Sequence, residues 1–258
     1  MAPWRTIILG VMLTAGGMRP PDVAAEPRRT ETIGKGSAYE TPFHVFRGAL
    51  PCPVVLVEGG IHGNEQSGTR AIDMLLARIN VKAGTLILFP RMNRQAVERN
   101  VRLINVDLNR TFSNGKQGTS YEYRLAAEIS DMVGREGVEH LLTLHDAAVR
   151  HDPSRKENYG QTICYGVRPP PAYLHQWIER LNTHAQSKAE RFTAFYSPIV
   201  QSSTEYLVER HKLKGGFCGE TWNGLSAARR IALQEAMILT LLETVGLVYS
   251  LDAEASGK

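Results

Sequence analysis

Cysteine is scarce in this 258-residue sequence: there are three, Cys52, Cys164 and Cys218, and no two of them form a C-x-x-C pair. This excludes a disulfide-scaffolded fold and a cysteine-rich zinc site, so any metal must rest on histidine and carboxylate. One disulfide at most can form. Long apolar runs are equally scarce. Thr6 to Met18 is glycine-broken and shorter than the roughly 20 residues that a membrane span needs. Internal repeats, low-complexity tracts and lysine-rich tracts are lacking, and the formal net charge of +4 comes from scattered residues. Nucleic acid is therefore not an expected partner, whereas acidic peptides or anionic cell-wall polymer are.

The first residues read as a secretory leader. Arg5 supplies a positive start, Thr6 to Met18 an apolar core, and Val23-Ala24-Ala25 a small-residue cleavage site. Export to the periplasm and removal of residues 1–25 are expected, leaving no stable membrane span. Residues 26–41, rich in charge, glycine and threonine, are expected as a mobile lead-in. Residues 42–250 then form a single catalytic domain, and residues 251–258 a tail.

Within that domain apolar runs and helical periodicities alternate, the signature of an α/β fold. Val54 to Val57 and Thr85 to Phe89 are short, β-branched and stopped by Gly59-Gly60 and Pro90, so both read as buried strands. Phe43 to Phe46, His140 to Leu144 and Gly215 to Thr221 read as further strands. Helical spacing occurs over Gln66 to Ile79, Tyr121 to Val133, Pro171 to Arg191 and Ser226 to Val245, with Ser226 as an N-cap. Arg91 to Arg110 holds five arginines without an apolar period and reads as a long loop. Ala147 to Asn158 reads as a second loop, over the site.

The chain is organised around Val54 to Glu65, VVLVEGGIHGNE. His62 and Glu65 stand three apart at the carboxyl end of a strand, where ligands of open α/β sheets bind. A bare HxxE can merely cap a helix, but His145 ends a distant strand and VDLNR lies between them. A catalytic zinc takes three protein ligands and leaves one position to water, and His62, Glu65 and His145 fit that count. A zinc-bound histidine gives its other nitrogen to an acceptor, for which Asp107 is the candidate at His62 and Asp146 the rival. Amide hydrolysis also needs a proton carrier, and Glu220 ends the strand Gly216 to Gly219. Glu205, Glu209 and Glu235 sit in polar or helical surroundings. Arg102 and Arg110 suit an electrophile and an anchor, since a guanidinium is permanently charged and binds carboxylates in pairs of hydrogen bonds. Asn109 adds an amide donor, while Arg91, Arg94 and Arg99 read as a solvated face.

GGIHGNE, VDLNRTF, LTLHDA and GFCGET, in this order, resemble the zinc carboxypeptidase superfamily that also contains succinylglutamate desuccinylase and aspartoacylase. The run is most similar to the murein-trimming carboxypeptidases that set bacterial cell shape. In them a GGI-x-G-x-E turn, an arginine-rich D-x-NR loop and an LHD strand recur, together with a GQ-containing strand matched here by Gly160 to Ile163. Those enzymes can carry Gln at the first ligand position, where this chain has His62. The resemblance implies a mixed, mainly parallel twisted sheet with helices on both faces. It implies one zinc on His62, Glu65 and His145, and Glu220 as general base and acid. Arg102 would polarise the carbonyl, and Asn109 with Arg110 would bind a terminal carboxylate. The expected activity is removal of the C-terminal residue of a peptide, with a muropeptide as the favoured substrate and an N-acyl amino acid as the alternative. A silent wall-binding domain is a third reading. The tyrosine that closes over substrate in digestive carboxypeptidases has three candidates, Tyr159, Tyr165 and Tyr206.

Overall fold

The computed structural model describes residues 28–113, 118–155, 157–199 and 201–252. The expected leader lies outside them, as does the end of the tail from residue 253. The strands are β1 (Arg29–Ile33), β2 (Thr41–Arg47), β3 (Val54–Glu58), β4 (Ile79–Ala83), β5 (Thr85–Phe89), β6 (His140–Ala147), β7 (Thr162–Tyr165), β8 (Thr193–Tyr196), β9 (Gly215–Trp222) and β10 (Val248–Leu251). The helices are α1 (Gln66–Leu76), α2 (Arg94–Arg99), α3 (Tyr121–Glu136), α4 (Leu174–Leu181), α5 (Ser203–His211) and α6 (Ala227–Thr244).

Eight strands form one mixed sheet in the order β1-β2-β5-β3-β6-β9-β7-β8, and β4 pairs with β10 in a separate ribbon. The centre, β5-β3-β6-β9, is parallel; β2 and β7 run antiparallel to their neighbours β5 and β9. VVLVE and TLILF are buried at all five positions each, as parallel strands covered on both faces require.

The pleat sends alternate residues to two cores. Val55, Val57, Leu142 and Phe217 meet Ile72 and Leu75 of α1, Trp177 of α4 and Met237 of α6. Leu56, Ile87 and Leu141 meet Leu125, Ile129 and Val133 of α3 and Leu207 of α5. Helices therefore lie on both faces, as expected. Each fully buried aliphatic or aromatic side chain contributes roughly 1.5–3 kcal/mol, enough for a few of them to decide where a helix docks.

Several expected boundaries move. The lead-in is structured: β1 pairs with β2 from Arg29↔Val45 to Ile33↔Thr41, and Glu128 of α3 accepts from Gly34 N and Tyr39 Oη. RTETI carries a single apolar residue, so the alternation that marks a strand is almost invisible in it. Arg91 to Arg110 holds α2 and a 3-10 turn at Leu108–Arg110. Arg91 is bonded to Asp73 and Arg94 to Glu98 and the Glu40 carbonyl. The helix expected over Pro171 to Arg191 is only α4, which ends as two 3-10 turns take over. Ile79 opens β4 and does not belong to α1.

Candidate metal centre and active site

Three neighbouring parallel strands deliver the site from their carboxyl ends. After β3 the chain turns through Gly60, whose φ of 69° lies in the left-handed region that glycine adopts freely. Gly63 then passes so close to the Ala96 backbone that a β-carbon there would overlap it. This turn presents His62 and Glu65 beside the end of β6, which carries His145. In the β6–β9 register, His145 is the partner of Glu220.

Glu65 sits between the two imidazoles. Its Oε1 is 2.8 Å from His62 Nδ1 and its Oε2 is 2.7 Å from His145 Nδ1. One ligand atom from each of the three residues can be chosen so that all lie within 4.8 Å of one another. Two imidazole nitrogens and a carboxylate oxygen, all from buried residues, are a donor set that zinc accepts. Burial pulls the His145 ring down, but Glu65 more than offsets it and holds the imidazole up at about 9. The reciprocal balance keeps Glu65 well below the usual carboxylate range against the opposing effect of burial. A proton here occupies the electrostatic role a cation would fill.

The supporting contacts distinguish the two aspartates. His62 Nε2 lies 3.1 Å from Asp107 Oδ1, the place of an orienting acceptor. Asp146 projects to the other face of β6. It accepts from Ser67 N at the start of α1 and from Thr221 Oγ1 and Gln234 Nε2, and it pairs with Arg230. It is an anchor for α1, not a neighbour of either imidazole ring.

A cavity of about 210 Å³ opens over these residues, lined among others by Arg102, Asn109, Arg110, Tyr159 and Glu220. At about 30 Å³ per water it has room for roughly seven waters, which suits a terminal residue or an acyl group. Arg102 reaches over the ligands, with Nη1 3.0 Å from Glu65 Oε1 and Nη2 3.4 Å from Asp107 Oδ2. Asn109 receives Ser203 N on its Oδ1 at 2.9 Å, which fastens it to the start of α5. Arg110 spends one bond on the Asn109 carbonyl. Burial pushes the Glu220 carboxyl up, with His145 opposing, and Cys218 Sγ donates to Glu220 Oε1 at 3.5 Å.

Of the three tyrosines, Tyr159 lines the cavity. Tyr165 packs on Tyr196, and Tyr206 on Phe112. The sequence reading missed Cys164, Cys218 and the start of α5, from which Ser202, Thr204 and Glu205 line the same cavity. Burial pushes Glu205 up to about 7, with Arg110 opposing. The signal for α5 was present, since Ser202-Ser203-Thr204-Glu205 has the S-x-x-E spacing of a capping box, and Ser202 Oγ does accept from Glu205 N.

Residues 51–152 match the succinylglutamate desuccinylase/aspartoacylase catalytic domain. A succinylglutamate desuccinylase of Pseudomonas aeruginosa is 31% identical over 127 residues, 45% of this chain and 36% of that protein. An N-acyl-aromatic-L-amino acid amidohydrolase (carboxylate-forming) of Xenopus tropicalis is 36% identical over 103 residues, 36% of this chain and 33% of that protein. The chain thus matches about a third of the length of these curated relatives. The mDAP-bound D,L-carboxypeptidase Csd4 of Helicobacter pylori has the same fold, with a TM-score of 0.69 at 21% identity over 78% of this chain and 52% of that one. The fold of that carboxypeptidase and a cluster of His62, Glu65 and His145 that could hold a metal therefore occur together in this chain.

Proposed function

We propose that the protein is a zinc-dependent carboxypeptidase that hydrolyses the C-terminal amide bond of a peptide, with a peptidoglycan stem peptide cut in the D,L manner as its substrate. One observation carries the reading: the cavity that holds the His62, Glu65 and His145 triad also holds Glu220 and, on its wall, the cationic and amide groups of Arg110 and Asn109. His62, Glu65 and His145 would hold zinc, which when bound acidifies water and polarises a carbonyl. Glu220 takes the proton from the attacking water and hands it to the departing amine. Its raised carboxyl suits both halves of that task, since a base that is too weak cannot take a proton and an acid that is too strong cannot hold one. Arg102 binds the oxygen on which negative charge develops. Asn109 and Arg110 hold the terminal carboxylate.

The architecture shared with the mDAP-bound carboxypeptidase and the leader-like first residues support a peptide substrate outside the cytoplasm. Among the described residues no helix is long and apolar enough to cross a membrane. A second reading, hydrolysis of a small N-acyl amino acid, is favoured by the names of the sequence relatives. Incubation with muropeptides, N-acetylaspartate and N-succinylglutamate separates the two. Release of a terminal amino acid from muropeptide is expected, and release of an acyl group alone would replace the first reading by the second. N-terminal sequencing of protein from cell fractions tests export, with a start near Glu26 expected.

A further inference from the structure

Two thiols share the cavity with Glu220. Cys164 on β7 and Cys218 on β9 are register partners in an antiparallel pair, and both line the cavity wall. Neither is in a disulfide, and the third thiol, Cys52, is exposed and lies outside the cavity. Directly opposed residues of antiparallel strands have β-carbons about 4.5–5.5 Å apart. A disulfide needs about 3.5–4.5 Å, so bridging asks the two strands to close by about 1 Å. Thr162 Oγ1, 3.2 Å from Cys164 Sγ, helps fix that sulfur, and Cys218 is fixed by its bond to Glu220.

We propose that Cys164 and Cys218 form a modification site at which a small oxidant such as hydrogen peroxide closes a disulfide beside Glu220. The cavity is small enough to admit peroxide while excluding a protein oxidoreductase. Contact with Cys164, burial and the charge of Glu220 push the Cys218 thiol up, and Glu220 holds its sulfur by a hydrogen bond, so the sequence begins at Cys164. Its sulfur displaces hydroxide from peroxide to give a sulfenic acid. Cys218 sulfur then displaces the sulfenic hydroxyl, and the two thiol protons leave within two molecules of water. Peroxide gains the two electrons that the sulfurs lose. The product has no S–H group, so Glu220 loses its sulfur donor, and the wall that a substrate must pass is cross-linked.

Mass mapping of the purified protein after peroxide treatment, denaturation and alkylation decides the proposal without reference to activity. The expected outcome is a Cys164–Cys218 cross-linked peptide, two hydrogens lighter than its parts and reversed by dithiothreitol, with Cys52 the one alkylated cysteine. C52S should give the same cross-link and remain monomeric in mass without reductant, which excludes Cys52 and a bridge between molecules, and C164S should give none. Alkylation of both cavity cysteines after oxidation, or their separate oxidation to sulfinic acids, would overturn it. Muropeptide turnover is then measured with and without peroxide. Loss that dithiothreitol restores in C52S is expected, whereas full turnover by cross-linked protein would overturn the link to Glu220. If no substrate is turned over even by reduced protein, the carboxypeptidase reading fails while the cross-link still stands or falls on the mass map.

Discussion

His145 and Glu220 are register partners on β6 and β9, so the proposed metal ligand and the proposed proton carrier leave the sheet side by side on the same face. Glu220→Gln preserves the shape and most hydrogen bonding but cannot accept a proton. Zinc content, fold and substrate binding should persist while turnover falls by about 10²-fold or more, the lower end of the general acid–base contribution. A variant within a few-fold of the parent would show that the proton is carried elsewhere.

Glu65 touches both imidazoles, so its loss removes one proposed ligand and the acceptor that aligns the other two. Glu65→Ala and His145→Ala are each expected to abolish stoichiometric zinc, measured by elemental analysis of the purified protein. Retention of one equivalent in either variant would mean that the metal sits on other residues.

Asp107 acts one step back, through His62 Nε2. Asp107→Asn keeps a group of the same shape and weakens the acceptor, so metal affinity should drop about 10–100-fold, as for other orienting partners of metal-bound histidines. Competition against a chelator reads this directly. Unchanged affinity would leave Asp107 only its role at the 3-10 turn, where its Oδ1 accepts from Asn109 N.

Glu58 ends β3 fully buried, with Thr143 Oγ1 donating to Oε2 and no partner for Oε1 among the described residues. Burial pushes its carboxyl up to about 8, against the weaker pull of Thr143 and His145. Between about 4.5 and about 8 the folded chain thus holds a proton that the unfolded chain has lost. Stability should fall as pH rises through that window and level off above it. Each tenfold change in acidity is worth about 1.4 kcal/mol, so the total loss is on the order of a few kcal/mol. Glu58→Gln, neutral at every pH, should lack this slope in urea unfolding of the zinc-loaded protein. Parallel slopes for parent and variant would show that Glu58 is ionised in the fold.

The parts of this site legible in the sequence are those where a ligand falls at the end of an apolar run. VVLVEGG and HLLTLHDA announce strands by composition, and a histidine just beyond such a strand has few other reasons to be there. The cavity wall was not legible in the same way. Asn109 and Ser203 are 94 residues apart, and nothing local to either tells of the bond between them. The nine residues of α5 offer the core three consecutive residues, Tyr206, Leu207 and Val208, which show no period. Glu205 looked like an ordinary helical acid, and only the packing of α5 over β6 and β9 places it at the cavity.

The opposite aims of His145 and Asp146 limit how the chain can change in length. A residue inserted or deleted between Glu139 and His145 would slip the remainder of β6 by one step and exchange its faces. An insertion would turn the imidazole toward Ser67 and Gln234, and a deletion would bring the Asp146 carboxylate to face the like charge of Glu65. After Ala147 the chain leaves the sheet until β7 begins at Thr162, and this loop carries no such phase. Length variation in a library of this domain should therefore survive between Ala147 and the start of β7 and be eliminated within β6, whatever residue is inserted.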